Sequence, residues 1–176
     1  MRSLVLGGIR SGKSEWAESA IAESVGVKDP VRYLATGPAA DDDAWAARVS
    51  AHRARRPSHW STVESADVAK QLRAEGSTPT LVDDIGGWLT AAMDRADAWT
   101  GGSVRADISD LVDAVAAHDA ELVLVSPEVG LTVVPATVAG RRFADELGVL
   151  NQRLADLCDR VVLVVAGQPV AVKEPS

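Results

Sequence analysis

One octapeptide constrains this chain more than anything else in it. Gly7-Gly8-Ile9-Arg10-Ser11-Gly12-Lys13-Ser14 satisfies G-x-x-x-x-G-K-[ST]. Each fixed position answers a physical demand. Backbone N–H groups that converge on phosphate oxygens need a tight turn, which glycine permits cheaply. A helix that starts at the lysine aims its positive end at the anion. The Lys13 ammonium can reach β- and γ-phosphates, and the Ser14 hydroxyl can ligate Mg²⁺. A chance glycine-rich turn is the alternative, and context weighs against it. The motif falls between an apolar strand-like run at residues 3–6 and a helical pattern at 13–24, with Trp16, Ala17, Ala20 and Ile21 on one stripe.

The same alternation continues down the chain. Strands are expected at 31–35, 62–63, 80–83, 121–125, 161–165 and 170–172, and helices at 43–55, 66–74, 88–98, 104–118 and 138–159, with an irregular stretch at 126–137. The strands are continuous apolar runs, as a sheet covered on both faces requires. The expected fold class is therefore α/β and P-loop NTPase-like, a mostly parallel sheet with helices on both faces. The 176 residues, 47% of them hydrophobic, fit one nucleotide-binding domain spanning 1–176, without repeat, low-complexity tract or linker.

Composition narrows the partners. A formal net charge of −7 argues against non-specific binding to nucleic acid or an anionic membrane. No segment approaches the roughly 20 apolar residues of a membrane span. The apolar run at 4–6 is too short for a signal peptide. The single cysteine, Cys158, shares a helical apolar pattern with Leu150, Leu154 and Leu157 and reads as a core residue. A reducing cytoplasm fits these features.

A phosphate loop needs an acid for its metal at the end of another buried strand. Thr80-Leu81-Val82-Asp83-Asp84 supplies two; Asp83 is the expected ligand and Asp84 the alternative, with a helix N-cap as the structural role open to them. The expected helix at 43–55 begins acidic and ends with Arg48, His52, Arg53, Arg55 and Arg56 nearby. Arg48, His52 and Arg55 share a face, a plausible site for phosphates. Neighbouring cations hold a histidine neutral, and a neutral imidazole is a nucleophile. On spacing alone, arginines complementing a helix C-terminus is the simpler reading. His59 reads as structural and His118 as a helix cap.

The ordered set of motifs resembles the bifunctional adenosylcobinamide kinase / adenosylcobinamide-phosphate guanylyltransferases of cobalamin biosynthesis. The likeness runs over almost the whole chain. It takes in the loop at 7–14, Tyr33-Leu34-Ala35-Thr36, Ala47-Arg48 with His52, Arg56-Pro57, His59-Trp60 and Leu81-Val82-Asp83. It continues through Glu128-Val129-Gly130, Val134-Pro135, Arg142-Phe143, Asn151-Gln152-Arg153-Leu154 and Val164-Val165-Ala166-Gly167. The resemblance implies two reactions. ATP or GTP phosphorylates adenosylcobinamide, and GTP then donates GMP to adenosylcobinamide-phosphate through a guanylyl-histidine. It implies His52 as the nucleophile, Lys13, Arg48 and Arg53 on phosphates, Mg²⁺ at Ser14 and Asp83, and a homotrimer. The sequence departs from the family pattern at Ala44, Ala51, Pro127, Thr132, Ala136 and Thr137, leaving the phosphate loop, the metal acid and the nucleophile intact. A small-molecule kinase without a covalent step, or a non-catalytic nucleotide switch, would need no His52.

Overall fold

The computed structural model of the chain describes residues 1–37 and 56–175. Its elements run β1 (Arg2–Gly7), α1 (Lys13–Val25), β2 (Arg32–Ala35), β3 (Ser61–Glu64), α2 (Val68–Ala74), β4 (Thr80–Asp83) and α3 (Ile85–Arg95). They continue α4 (Arg105–Ala116), β5 (Leu122–Pro127), α5 (Val138–Leu157), β6 (Arg160–Val165) and β7 (Gln168–Lys173). The helix expected at 43–55 lies outside the described residues.

One seven-stranded sheet runs in the order β3-β2-β4-β5-β1-β6-β7. All pairs are parallel except β6 with β7. Successive strand residues point to opposite faces, and both faces are buried. Leu4, Leu34, Val82 and Leu124 pack with Leu72, Leu89, Leu111 and Leu150 of α2 to α5. Val5, Tyr33, Leu81 and Val125 pack with Ala17 and Ile21 of α1. This double burial is why the strands read as continuous apolar runs.

The topology also sets where a ligand belongs. From β1 the chain crosses through α1 to β2 on one side; from β5 it crosses through α5 to β6 on the other. In open α/β sheets the crevice at such a reversal, beyond the carboxyl ends of the strands, is the binding site. Here it opens above Gly7 and its register partner Pro127.

Three expectations need correction. Helix α3 begins at Ile85, not 88, and ends at Arg95 rather than 98. The Asp84 carboxylate accepts from Gly87 N at 2.7 Å and caps a first turn containing Gly86 and Gly87, residues that read as helix breakers. They are there because space is short: a Cβ on Gly86 would stand 2.7 Å from Pro127 Cγ, and one on Gly87 3.1 Å from Thr36 Oγ1. Strand β7 is twice as long as its apolar core suggests. It pairs antiparallel with β6 through a two-residue turn, Ala166-Gly167, with φ of 51° and 77°. His118 is no cap; it is 2% exposed, packed beyond the end of α4.

Candidate active site

The phosphate loop is built by the backbone. Gly12 stands at φ 92° and Arg10 at φ 56°, conformations that turn successive N–H groups inward. Gly12 has no side chain to cap α1, so the first-turn N–H groups lack a side-chain partner. The cradle is braced on two sides. Glu128 N donates to Gly7 O at 3.0 Å, and Gly167 N donates to Ser11 O at 2.7 Å. A Cβ on Gly7 would overlap Ser11 Oγ and lie 2.8 Å from Val164 O; one on Gly12 would lie 3.1 Å from Gly167 Cα. The tip is open: Gly8 has nothing within 4 Å of its would-be Cβ, and Ile9 is 88% exposed. Lys13 Nζ donates back across the loop to Gly8 O at 3.3 Å. Ser11 Oγ is buried without a hydrogen-bond partner.

Two carboxylates stand at the end of β4, Asp83 as its last residue and Asp84 just after it, with Asp84 within electrostatic range of Lys13. Asp84 is held as the α3 cap, and its backbone O accepts from Thr36 Oγ1. Burial raises the Asp84 pKa, and the charge on Asp83 raises it further; the Lys13 ammonium and the α3 N–H groups pull the other way. Asp83 accepts from the buried Tyr33 hydroxyl at 2.5 Å through Oδ2. Arg56 lies over the Tyr33 ring, its guanidinium carbon 3.3 Å from the centroid, and donates to Thr62 Oγ1 at 3.2 Å.

A carboxylate whose proton affinity is raised by an adjacent carboxylate, as that of Asp84 is by Asp83, marks a place where a cation is favourable. Among the described residues no group of three or more His, Cys, Asp or Glu could hold a metal. Mg²⁺ takes few protein ligands and completes its octahedron with water and phosphate oxygens.

The structure brings Gly7, Gly8, Ile9, Arg10, Ser11, Gly12, Lys13 and Ser14 into one loop, with the end of β4 beside it. His52, Arg48 and Arg53 lie outside the described residues. His59, read as structural, is exposed in the turn closed by Trp60 N on Pro57 O and joins neither core cluster. Cys158 is buried as expected, its thiol pushed up to about 12, chiefly by burial. Sequence reasoning missed the brace from the Ala166-Gly167 turn and the Tyr33–Asp83 contact. A Gly at the end of an apolar strand signals the first; no local pattern signals the second.

Sheet order, reversal point and loop define a P-loop NTPase-like α/β protein. The family model described as cobinamide kinase / cobinamide phosphate guanyltransferase matches residues 3–172, and the chain belongs to that family. It is thus a transferase combining kinase and guanylyltransferase activities. The bifunctional adenosylcobalamin biosynthesis protein CobP of Pseudomonas aeruginosa is 42% identical, over 98% of each chain. The proteins of that description named CobU are 36% identical in Escherichia coli and 37% in Salmonella typhimurium, over 98% of this chain and 100% of theirs.

Proposed function

We propose that this chain works in two steps as one nucleotide-binding domain. In the first, the hydroxyl of adenosylcobinamide attacks the γ-phosphorus of ATP or GTP and gives up its proton to solvent; the β–γ bridge breaks and the nucleoside diphosphate leaves with the bonding pair. In the second, His52 attacks the α-phosphorus of GTP, releasing pyrophosphate and forming a phosphoramidate. A phosphate oxygen of adenosylcobinamide-phosphate then displaces His52, giving adenosylcobinamide-GDP and restoring the imidazole. The observation that carries this reading is the braced cradle at residues 7–14, set beside a paired carboxylate, in a chain of this family.

Lys13 and the loop N–H groups hold the triphosphate in both steps, and Arg48 and Arg53 stabilise phosphate charge near His52. Ser14 and Asp83 are the groups to hold Mg²⁺, which when bound neutralises charge on the phosphate oxygens. The working form is a cytoplasmic homotrimer, which sedimentation tests directly.

The decisive experiment labels the protein with GTP carrying the label in its α-phosphate. Acid-labile, base-stable label on denatured protein is expected, absent in His52→Ala and retained in His59→Ala. Phosphorylation of adenosylcobinamide should survive largely in the His52 variant, because that step needs positioning and charge rather than a protein nucleophile. A kinase without a covalent step would never label. Undiminished labelling in His52→Ala, or an adduct on His59, would sink the covalent mechanism and leave the nucleotide site standing.

A further inference from the structure

Tyr33 is 2% exposed, and its hydroxyl has one hydrogen-bond partner among the described residues, Asp83 Oδ2 at 2.5 Å. The phenol O–H donates and the carboxylate accepts. The ring is itself fixed. It packs in the core cluster with Val5, Ala17 and Leu81, under the Arg56 guanidinium. Asp83 is the last residue of β4, paired in register with Ala35 of β2, and its backbone O accepts from Thr36 N at 3.1 Å. Strand β2 and the residue after it thus hold Asp83 twice, through Thr36 N on its backbone O and through Tyr33 on its side chain.

A carboxylate at a strand end would otherwise rotate about its side-chain torsions. With Oδ2 taken by the phenol, Oδ1 is the oxygen left for a ligand. We infer that Tyr33 is a positioning residue for the metal site, fixing the Asp83 carboxylate through Oδ2 so that its other oxygen meets Mg²⁺ directly or through a bound water. Arg56 acts one step further out by clamping the ring. The inference rests on the metal role given to Asp83 above, so its test separates the two.

Calorimetry of GDP binding with and without Mg²⁺ gives the metal-linked gain in nucleotide affinity for the wild type, Tyr33→Phe and Asp83→Asn. Outer groups that orient a ligand typically contribute 10–100-fold to metal affinity. Tyr33→Phe, which keeps the ring under Arg56, should cut the gain about 10-fold and leave metal-free GDP affinity unchanged. Its kinase should need correspondingly more Mg²⁺ for half-maximal rate and recover kcat at saturation. A merely structural role would instead lower thermal stability and weaken binding equally with and without Mg²⁺, and that result overturns the inference.

Tyr33 is the only tyrosine in the chain, so ¹³Cζ-tyrosine labelling gives a single resonance. Adding Mg²⁺ to the GDP complex should move it in the wild type and not in Asp83→Asn. This readout decides even if Tyr33→Phe fails to fold; an unmoved wild-type signal overturns the inference. If Asp83→Asn keeps the full Mg²⁺ gain, the metal reading fails and the inference with it. If Asp83→Asn loses the gain while Tyr33→Phe keeps it, the inference alone falls.

Discussion

Gly12 and Lys13 are neighbours in the motif and fail in different ways when replaced. Gly12 stands at φ 92°, and a Cβ there would lie 3.1 Å from Gly167 Cα, a backbone atom that cannot swing aside. The left-handed strain alone costs about 1–2 kcal/mol. Gly12→Ala should therefore lower both chemical stability and nucleotide affinity. Gly8→Ala, with open space around it, should leave stability within about 0.5 kcal/mol. Denaturant titration of the two variants makes the comparison. Lys13→Ala removes a charge that, among the described residues, makes a 3.3 Å hydrogen bond to Gly8 O and lies within electrostatic range of Asp84. It should unfold at nearly the wild-type midpoint yet lose about 100-fold or more in both phosphoryl and guanylyl transfer, since one cradle serves both. A kinase rate near wild type would remove Lys13 from the mechanism. The chemical need behind each of these residues was visible in the motif itself. What pins them was not: Gly167 is 155 residues from Gly12 and reaches it only through the β1–β6 pairing.

At the scale of elements, the misplaced start of α3 shows where local patterns stop being informative. Apolar periodicity marks the helix from Trp88 onward, whereas its first turn is decided by the Asp84 cap and by the ends of β2 and β5. Gly86 tests which influence wins. Alanine would improve helix propensity by about 1 kcal/mol. Its Cβ would stand 2.7 Å from Cγ and 3.0 Å from Cδ of Pro127, a rigid ring at the end of β5. Overpacking of this kind costs about 1–3 kcal/mol, so the net effect should be destabilising. Because the displaced turn carries Asp84 and follows Asp83, Mg²⁺-dependent activity should fall as well. Stabilisation on denaturant titration would show that α3 can move away from β5. The strands were easier to read because their apolar runs report the double burial directly, though β3 (61–64 against 62–63), the end of β5 (127 against 125) and above all the length of β7 escaped. All six of its residues are exposed, so no hydrophobic pattern marks its ends.

Across the whole molecule, the two ends of the sheet do different work. The carboxyl ends of the strands carry the phosphate loop and the paired carboxylates; the amino ends carry a buried polar cluster remote from that loop. Arg32, 1% exposed at the start of β2, lies 3.4 Å from Glu75 and donates to Thr80 Oγ1 at 3.3 Å. His118 sits near Arg32, just before β5. Burial lowers its pKa, and the Arg32 charge adds to this. The Leu72 and Thr78 carbonyls and Asp119 favour the ring proton, yet neither ring nitrogen closes a hydrogen bond of regular geometry. Because the folded pKa lies below the unfolded value of about 6.5, the neutral ring's contribution is fully present above that pH and is lost as pH falls toward the folded pKa. One such group changes stability by at most about 1.4 kcal/mol per pH unit. Asp84 acts in the opposite sense: its folded pKa is raised, so its unfavourable term is relieved as pH falls. Urea unfolding of the wild type at pH 7.5 and 5.5 should therefore show a loss at the lower pH that shrinks in His118→Leu, which fills the site without titrating. GDP affinity at pH 7.5 should be the same in both proteins, since His118 lies at the end of the sheet remote from the loop. An acid-induced loss of equal size in the variant would assign it to other groups and leave His118 a passive member of the core.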